Sequence, residues 1–356
     1  MNNTRCQKRK GMILSRGILI LGLLLLNTAE GRTQIRMDYA NSYYFEIPAG
    51  EAFITDRGDT LEIGGISGIE PAPEHGFFYL LPDKTRPLAG LFLAEMTITL
   101  DTSAFQVVGF LPMDAPEFEG EAVRMHPNSQ QLYFTHEGTG TSDVLYLDSA
   151  ATLHPLSPWF ASYAALMQWN SGYEGLCFSP DGYFLYSAIE RPMRFEEAIP
   201  DALAVAKICP VVKFSLRKNE NPPVIFGYPL QRQENDNGVS ALLTLNDSTL
   251  IVAERAWLRT EKKNIVRLFT VNLNNTVCID DLPFDFYGIT EVFRPKLLLN
   301  ATHEIPLREQ SVSTGNVEGI TFSHDKSFLL LVTDNNYGNQ TATPTQLYVL
   351  KIDENP

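Results

Sequence analysis

The stretch Tyr173-Glu174-Gly175-Leu176-Cys177-Phe178, followed by the turn Ser179-Pro180-Asp181-Gly182 and closed by Glu190, has the pattern of one β-hairpin with a polar residue at each end. A largely apolar run, a tight turn and a second apolar run are typical of two short antiparallel strands. In a hairpin of this length, the start of the first strand lies beside the end of the second. The stretch therefore predicts that Glu174 and Glu190 meet at one edge of a sheet.

This hairpin pattern, here called the cassette, occurs five times along the chain, and the repeat decides the architecture. Each copy opens with Glu or Ser, and an acid follows about 14 to 18 residues later. The copies begin at Gly65, Phe118, Tyr173, Gly238 and Val317, and they end at Asp83, Glu137, Glu190, Glu254 and Asp334. Their starts are about 50 to 80 residues apart, which is enough for four antiparallel strands with loops. The sequence therefore predicts an all-β fold, a single closed β-propeller of four-stranded antiparallel blades.

The repeats indicate five blades, and a sixth could lie between Cys278 and Gly315. The last cassette runs out of chain after its third strand, while an unassigned strand, Tyr43–Ile47, precedes the first cassette. We therefore expect an N-terminal strand to close the ring by completing the last blade. In that arrangement the strand near Tyr44 pairs with the strand near Tyr348.

The first 31 residues have the pattern of a secretory signal peptide. A basic start precedes the apolar run 17–26, and small residues at Ala29 and Gly31 suit a cleavage site. The apolar run is too short for a membrane span; a retained membrane anchor is the alternative. We therefore expect a signal peptide over 1–31, a propeller domain over 32–356, and a secreted or periplasmic protein without a membrane span after cleavage.

Charge and cysteine usage narrow the range of partners. The whole chain carries a formal net charge of −14, and removal of five basic residues and one acid with the signal leaves about −18. Nucleic acids and anionic membranes both demand basic patches, so this charge argues against them and suits a cation.

Cys177, Cys209 and Cys278 form neither a disulfide framework nor a zinc motif. At most one bridge, between Cys209 and Cys278, is possible, and the sequence leaves it open.

Five blocks of this sequence resemble the phytase-like propeller family, whose members are described as having an "esterase-like activity of phytase". They are Gly64–Ile69, Phe118–Gly120, Tyr173–Leu176, Gly238–Ser240 with Ala253–Arg255, and Asn316–Gly319 with Thr333–Asn336. The resemblance runs in order from about Gly64 to Ile352, and it implies a propeller fold, a secreted location and hydrolase activity. The chain departs from the family pattern at Pro82, where the family has Ser before the acid. It departs again at Glu117-Phe118-Glu119-Gly120, where the family has Asp-Pro-Glu-Gly.

The repeated acids are the candidate metal ligands. Carboxylates crowded at one rim repel one another, so they take up protons or bind a cation. Hard oxygen ligands from several loops favour Ca²⁺. The predicted ligand set is Glu119, Glu137, Glu174, Glu190, Glu254, Glu318, Asp334 and Asn335. The alternative is structural, because an acid at a strand end can accept a backbone N–H from the next blade and so join the two blades.

Three further side chains are candidates for binding a substrate. Arg191 and Arg255 each follow a repeated acid, and an arginine near a bound cation suits a phosphate or carboxylate. Adjacent residues of a strand point to opposite faces, however, so both arginines are expected to face away from the acids. His136 is a candidate general base, with an inter-blade or surface role as the alternative. No nucleophile is identified.

Two classes of function remain open. The first is a Ca²⁺-dependent hydrolase that acts on a phosphate or carboxylic ester at the acidic rim of the central channel. The second is a non-catalytic propeller that binds a small ligand or a protein partner at the same rim, with the acids in a structural role. Turnover of esters in the presence and absence of a chelator discriminates between them.

Overall fold

The computed structural model describes residues 35–84, 87–98, 103–138, 141–164, 167–168, 170–192, 207–217, 223–231, 236–278, 297–305, 315–338 and 344–354. The predicted signal peptide over 1–31 lies outside these residues. Within the described part of the chain the protein is all-β. It has a single α-helix there, α1 (Pro158–Tyr163), and none of its described helices is long and apolar enough to cross a membrane.

The strands form five four-stranded antiparallel units. The chain begins with β1 (Ile35–Ile47) and a separate hairpin, β2 (Ala52–Ile54) and β3 (Thr60–Glu62). The first blade is β4 (Ile66–Pro71), β5 (Phe77–Pro82), β6 (Ala89–Ile98) and β7 (Ser103–Met113). The second is β8 (Gly120–Met125), β9 (Leu132–Gly138), β10 (Thr141–Leu147) and β11 (Leu153–Pro155).

The remaining three blades follow the same order. The third blade is β12 (Tyr173–Phe178), β13 (Phe184–Ile189), β14 (Ile208–Ser215) and β15 (Val224–Pro229). The fourth is β16 (Asn237–Asn246), β17 (Thr249–Leu258), β18 (Lys263–Cys278) and β19 (Leu297–Ile305), joined to the third by a short parallel pairing of β15 with β19. The fifth is β20 (Asn316–Phe322), β21 (Phe328–Asp334) and β22 (Thr345–Glu354), with β1 outermost. Five blades are thus observed among the described residues.

The N-terminal strand pairs where the sequence predicts. β1 lies antiparallel to β22, and Tyr44 is directly opposite Tyr348. The five innermost strands, β4, β8, β12, β16 and β20, contact one another in cyclic order around a central channel. Each blade therefore contributes one inner strand to the channel, and the fifth blade combines both ends of the chain.

The turns of the third and fifth hairpins are built by the same side-chain contacts. In the third blade, Asp181 accepts a hydrogen bond from the turn serine at 2.6 Å, and Gly182 follows with a φ of 73°. In the fifth blade, Asp325 accepts the equivalent bond at 2.7 Å, and Lys326 has a φ of 58°. An aspartate that holds its own turn favours the left-handed residue after it. These contacts explain why the Ser-x-Asp pattern marks the hairpin turns.

Apolar side chains fill the spaces between neighbouring blades. Between the fifth and first blades, Leu330, Val332 and Val349 pack with Ile69 and Phe92. Full burial of a leucine such as Leu330 contributes about 2 kcal/mol to folding. Because every blade packs both faces against its neighbours, the inner strands are buried along nearly their whole length.

The cysteines contribute as buried thiols. Cys177 and Cys209 are both free and both at most 1% exposed. The Cys209 thiol donates to the backbone oxygen of Glu190 at 3.2 Å. The bridge between Cys209 and Cys278 that the sequence left open is therefore absent from this structure.

Candidate functional site

Each inner strand carries a β-bulge near its first residue, and the bulges define the mouth of the channel. In the third blade the pairing passes from Tyr173 opposite Ile189 to Gly175 opposite Ala188, so Glu174 is the extra residue. The same irregularity occurs in all five blades. The bulged residues are Ser67, Glu121, Glu174, Ser240 and Glu318.

A small residue follows every bulge, because the inner strands approach one another closely there. A Cβ added at Gly175 would lie 2.9 Å from the backbone nitrogen of Leu242 in the next blade. A Cβ added at Gly319 would lie 3.1 Å from the backbone nitrogen of Ile69. The small residues are Gly68, Ala122, Gly175, Ala241 and Gly319. This close contact leaves the bulged side chains as the polar lining of the mouth.

A second set of side chains surrounds the bulges, one from the end of the second strand of each blade. In the third blade, Glu190 immediately follows Ile189, the residue that pairs beside the bulge. In every blade, the residue of this set is the one that follows the strand-two residue paired beside the bulge. These residues are Asp83, Glu137, Glu190, Arg255 and Asp334. We call these five residues together with the five bulged residues the acidic ring. It contains seven carboxyl groups, two serines and one arginine.

Arg255 lies inside the acidic ring and joins three blades. Its Nη1 donates to Glu318 Oε1 at 2.9 Å and also contacts Asn316 Oδ1, while its Nη2 donates to Glu190 Oε1 at 2.8 Å. Only 16% of the Arg255 side chain is exposed. The expectation that Arg255 faces away from the acids is therefore wrong. The fourth blade presents its arginine where the other four present an acid.

Glu254 points away from the ring, contrary to the predicted arrangement of the repeated acids. Its Oε1 accepts from the Tyr228 hydroxyl and from the Gln231 backbone, both at 2.7 Å, and its Oε2 accepts from Asn237 Nδ2 at 2.8 Å. The physical reason is the period of a strand, in which a shift of one residue turns a side chain to the opposite face. Glu254 pairs beside the bulge, and Arg255 is the residue that turns inward.

In the second blade Glu121 takes the position that the sequence analysis assigned to Glu119. Glu119 lies at the outer edge of the ring, where its Oε1 is 3.2 Å from Lys84 Nζ. Lys84 is also 3.7 Å from Asp83. Aligning Glu121-Ala122-Val123 directly with Glu174-Gly175-Leu176 would have identified Glu121 from the sequence.

Burial and mutual repulsion raise the pKa of most carboxyl groups in the ring. Burial, followed by the charges of neighbouring ring carboxylates, raises the pKa of Glu121 and of Glu174 well above the usual range of a glutamate. The same causes raise the pKa of Asp83 to about 6. Burial raises the pKa of Glu137 to about 7 and that of Glu318 to about 8. The ring therefore exchanges protons across the neutral pH range.

Charge compensation within the ring is uneven. Burial lowers the pKa of Arg255, but Glu318 and Glu190 outweigh that effect, so its pKa is raised and the guanidinium stays charged. It pairs with Glu190 and Glu318, whereas Glu121 and Glu174 have no hydrogen bond or ion pair with any residue that the structure describes. These two carboxyls are the uncompensated part of the ring.

The donor chemistry of the ring fits a hard cation such as Ca²⁺. Carboxylate oxygens without a partner are the ligands that Ca²⁺ takes, and a bound cation would replace the protons that burial now favours. Over the described ranges of the chain, no group of three or more His, Cys, Asp or Glu is arranged closely enough to hold a metal ion. The predicted cation site therefore stays a prediction, and the described side chains of the ring are not set in a closed coordination shell.

The other predicted site residues lie at the margins of the ring. Asn335 Oδ1 accepts from the backbone of Gly65 at 2.8 Å and from Tyr337 at 3.1 Å, so it connects the fifth blade to the first. His136 Nδ1 lies 2.9 Å from the Glu119 backbone oxygen, within the second blade. Arg191 Nε is 3.4 Å from Glu190.

Glu137 connects the second blade to the third. Its Oε1 accepts from the backbone of Gly172 at 3.0 Å. Together with Glu174, Glu190, Glu318 and Asp334, it is one of the predicted acids that the structure brings to the ring.

Comparison with known proteins gives one family and several distant structures. The family model "Phytase-like: Esterase-like activity of phytase" matches residues 61–337, more than half of the chain. No match was found among curated protein sequences. The hydrazine synthase of Kuenenia stuttgartiensis is 10% identical with a TM-score of 0.42, over 82% of this chain and 96% of that one. An endo-arabinase from Bacteroides thetaiotaomicron is 11% identical with a TM-score of 0.42, over 86% and 94% respectively. Likeness at this level carries no argument about function.

Proposed function

The chain belongs to the phytase-like family, and from that membership and the acidic ring we propose that it is a hydrolase of phosphate or carboxylic esters. The observation that carries the proposal is the convergence of seven carboxyl groups around Arg255 at one mouth of the channel. A small-molecule ester that reaches this mouth meets both a fixed positive charge and proton donors. The substrate class follows from the guanidinium, since phosphate and carboxylate groups match its geometry.

Proton transfer is the chemistry that the ring itself supplies. A general acid or base works best when its pKa lies near the operating pH. Glu137, with a pKa of about 7, and Asp83, with a pKa of about 6, meet this condition through burial. Glu137 Oε1 is held by the backbone of Gly172, which leaves Oε2 to exchange a proton with a substrate or with water. We assign the acid–base role to these two carboxyls.

A divalent cation completes the proposed site. Glu121 and Glu174 would hold it, because they are the ring carboxyls without a partner among the described residues. When bound, Ca²⁺ supplies positive charge that stabilises the negative charge developing on an ester oxygen during hydrolysis. Arg255 remains engaged with Glu190 and Glu318, so its part is to orient an anionic group at the edge of the ring.

Export is part of the same proposal. The basic, apolar and small-residue segments of 1–31 support a secreted or periplasmic protein, and a net charge of about −18 for the remainder suits a calcium-containing medium. Sequencing the N-terminus of the protein recovered outside the cytoplasm tests this point. A mature chain that begins near residue 32 supports it, and one that retains residues 1–31 contradicts it.

Metal analysis and an ester panel test the hydrolase proposal. The purified protein is assayed for bound calcium and then for turnover of phosphate and carboxylic esters, with and without a chelator. Glu174→Gln keeps the size of the side chain and removes one ligand charge. The matched control is Glu74→Gln, an exposed carboxylate on the turn between β4 and β5. We expect E174Q to lose calcium-dependent turnover and E74Q to retain it; turnover that neither the chelator nor E174Q reduces would refute the proposal.

One set of contacts favours a second function, a non-catalytic propeller that binds a ligand or protein partner. Arg255 ties the third, fourth and fifth blades together, Glu137 bonds to the third blade, and Asn335 bonds to the first. These bonds are the inter-blade connections expected of structural acids. Calcium binding without turnover on any ester of the panel would favour this binding module over the hydrolase.

A further inference from the structure

The opposite mouth of the channel opens into a cavity of about 400 Å³ that is separate from the acidic ring. It lies at the far ends of the five inner strands. Each blade contributes to its floor the residue three positions after its bulge, and these are Glu70, Arg124, Cys177, Leu243 and Thr321. The repeat that builds the ring therefore also builds this second lining.

Arg124 closes the channel between the two mouths. Its guanidinium donates across the channel to the backbone oxygens of Ile69 at 3.0 Å, Leu242 at 3.0 Å and Ile320 at 2.6 Å. Those three residues belong to the first, fourth and fifth blades, and Arg124 itself to the second. Its side chain is only 6% exposed. A molecule in the cavity therefore cannot reach the acidic ring through the channel.

Glu70 is the hydrogen-bond acceptor of the floor with spare capacity. Its Oε1 accepts a good hydrogen bond from the backbone of Met125 at 3.0 Å. Its Oε2 has only two long contacts, to Arg124 Nη1 and to Thr321 Oγ1, both at 3.4 Å. At such distances a carboxylate oxygen still accepts a shorter bond from a new donor. Arg124 compensates its charge, so a cationic ligand is not required.

The walls of the cavity are mostly apolar. They include Pro71, Met125, Phe178, Leu245 and Phe322. Lys326 also lines the cavity, and it disfavours a cationic ligand. Mostly apolar walls with a few placed polar groups are the usual form of a small-molecule site. A cavity of roughly 150 Å³ accommodates benzene, so this one is large enough for two fused rings.

We propose that this cavity binds a neutral, largely apolar small molecule that donates one hydrogen bond to Glu70. The apolar body packs against the proline, leucine and phenylalanine walls, and the donor group lies at Glu70 Oε2. An anionic group at Glu70 Oε2 itself is disfavoured, because it would place a second negative charge against that carboxylate and could not donate the hydrogen bond. The site is independent of the acidic ring and of any activity there.

The test uses three naphthalene probes that differ in one group: 2-naphthol as the donor, 2-methoxynaphthalene without the donor, and 2-naphthoate with a negative charge. Binding to the full-length protein is measured by calorimetry and by saturation-transfer NMR. We expect saturable binding of 2-naphthol, and affinity about tenfold weaker for each of the other two, because an unpaired or repelled group is costly in a buried site. Equal affinity for 2-methoxynaphthalene and 2-naphthol, or no saturable binding of 2-naphthol, would overturn the proposal.

Two variants test whether the probe binds in the cavity. Leu245→Trp fills the wall from a partly buried position, so the fold tolerates it better than a change at the floor. We expect L245W to weaken 2-naphthol binding at least about tenfold while the melting temperature stays near that of the wild type. Glu174→Gln, in the acidic ring, should leave 2-naphthol binding unchanged. Unchanged binding in L245W, or lost binding in E174Q, would show that the probe lies elsewhere and would refute the assignment.

Discussion

Replacing Arg255 by methionine tests the central contact of the acidic ring. Arg255 forms charge-assisted bonds to Glu190 at 2.8 Å and Glu318 at 2.9 Å, and its side chain is 16% exposed. Removing one partner of a largely buried charged pair costs about 3–5 kcal/mol, because the remaining carboxylates are left without compensation. For a domain of this size, that loss lowers the melting temperature by about 4–7 °C.

The matched control is the same substitution at Arg259. Arg259 also makes two bonds to one carboxylate, to Asp236 at 2.8 and 3.1 Å, but its side chain is 72% exposed. An exposed pair of this kind contributes little to stability, because water screens it. Chemical denaturation of R255M and R259M at about pH 8 therefore separates a largely buried charge contact from a surface one with the same chemistry.

The pH dependence of R255M adds a second check. Burial raises the pKa of Glu318 to about 8, so at about pH 5 this orphaned carboxyl is neutral and the loss falls to about 1–2 kcal/mol, which is the cost of neutral hydrogen bonds. The loss in R259M should not change in this way. Equal losses for R255M and R259M at pH 8, or a loss in R255M that is the same at both pH values, would refute the reasoning.

The remaining predictions concern pH, ring membership and the N-terminal strand. Without a cation, the free energy of unfolding should fall as the pH rises from about 5 to about 8. Burial raises the folded-state pKa of Asp83 to about 6 and that of Glu318 to about 8, so over this range the folded state holds protons that the unfolded state has lost. Denaturation experiments in which the free energy of unfolding is flat or rises over that range would contradict this prediction. By calorimetry, Glu121→Gln should weaken calcium binding about tenfold and Glu119→Gln should leave it unchanged, and equal losses would place the site elsewhere. Deleting residues 38–48 removes the outer strand of the fifth blade and should abolish cooperative unfolding; a variant that melts like the intact chain would contradict the role of β1.

The architecture could be predicted from the sequence because it rests on a local signal that repeats. Five hairpins of similar length, each with its own turn, indicate five blades without knowledge of any long-range contact. The pairing of Tyr44 opposite Tyr348 followed from counting strands at the two ends of the chain. The helix α1 was not anticipated, since its six residues with Ser157 as N-cap are too short for a periodic pattern.

Sequence alone was sufficient to identify Glu174, Glu190, Glu318 and Asp334 as neighbours. Residues at the same position of each repeat lie at the same level around the central channel, so their side chains meet at one mouth. In the second blade, a residue-by-residue alignment of the repeats also identifies Glu121 rather than Glu119 as the ring member. Only the tertiary structure decided the fourth blade, where Arg255 rather than Glu254 belongs to the ring.

The physical reason is the bulge in each inner strand. A bulge adds one residue to one strand of a pair, and a shift of one residue turns a side chain from the core to the channel. Its exact position depends on how closely neighbouring blades approach, as at Gly175 and Leu242, which no single repeat encodes. The same holds for Arg124, whose partners Ile69 and Ile320 lie far from it in sequence and meet only when the five inner strands surround one channel.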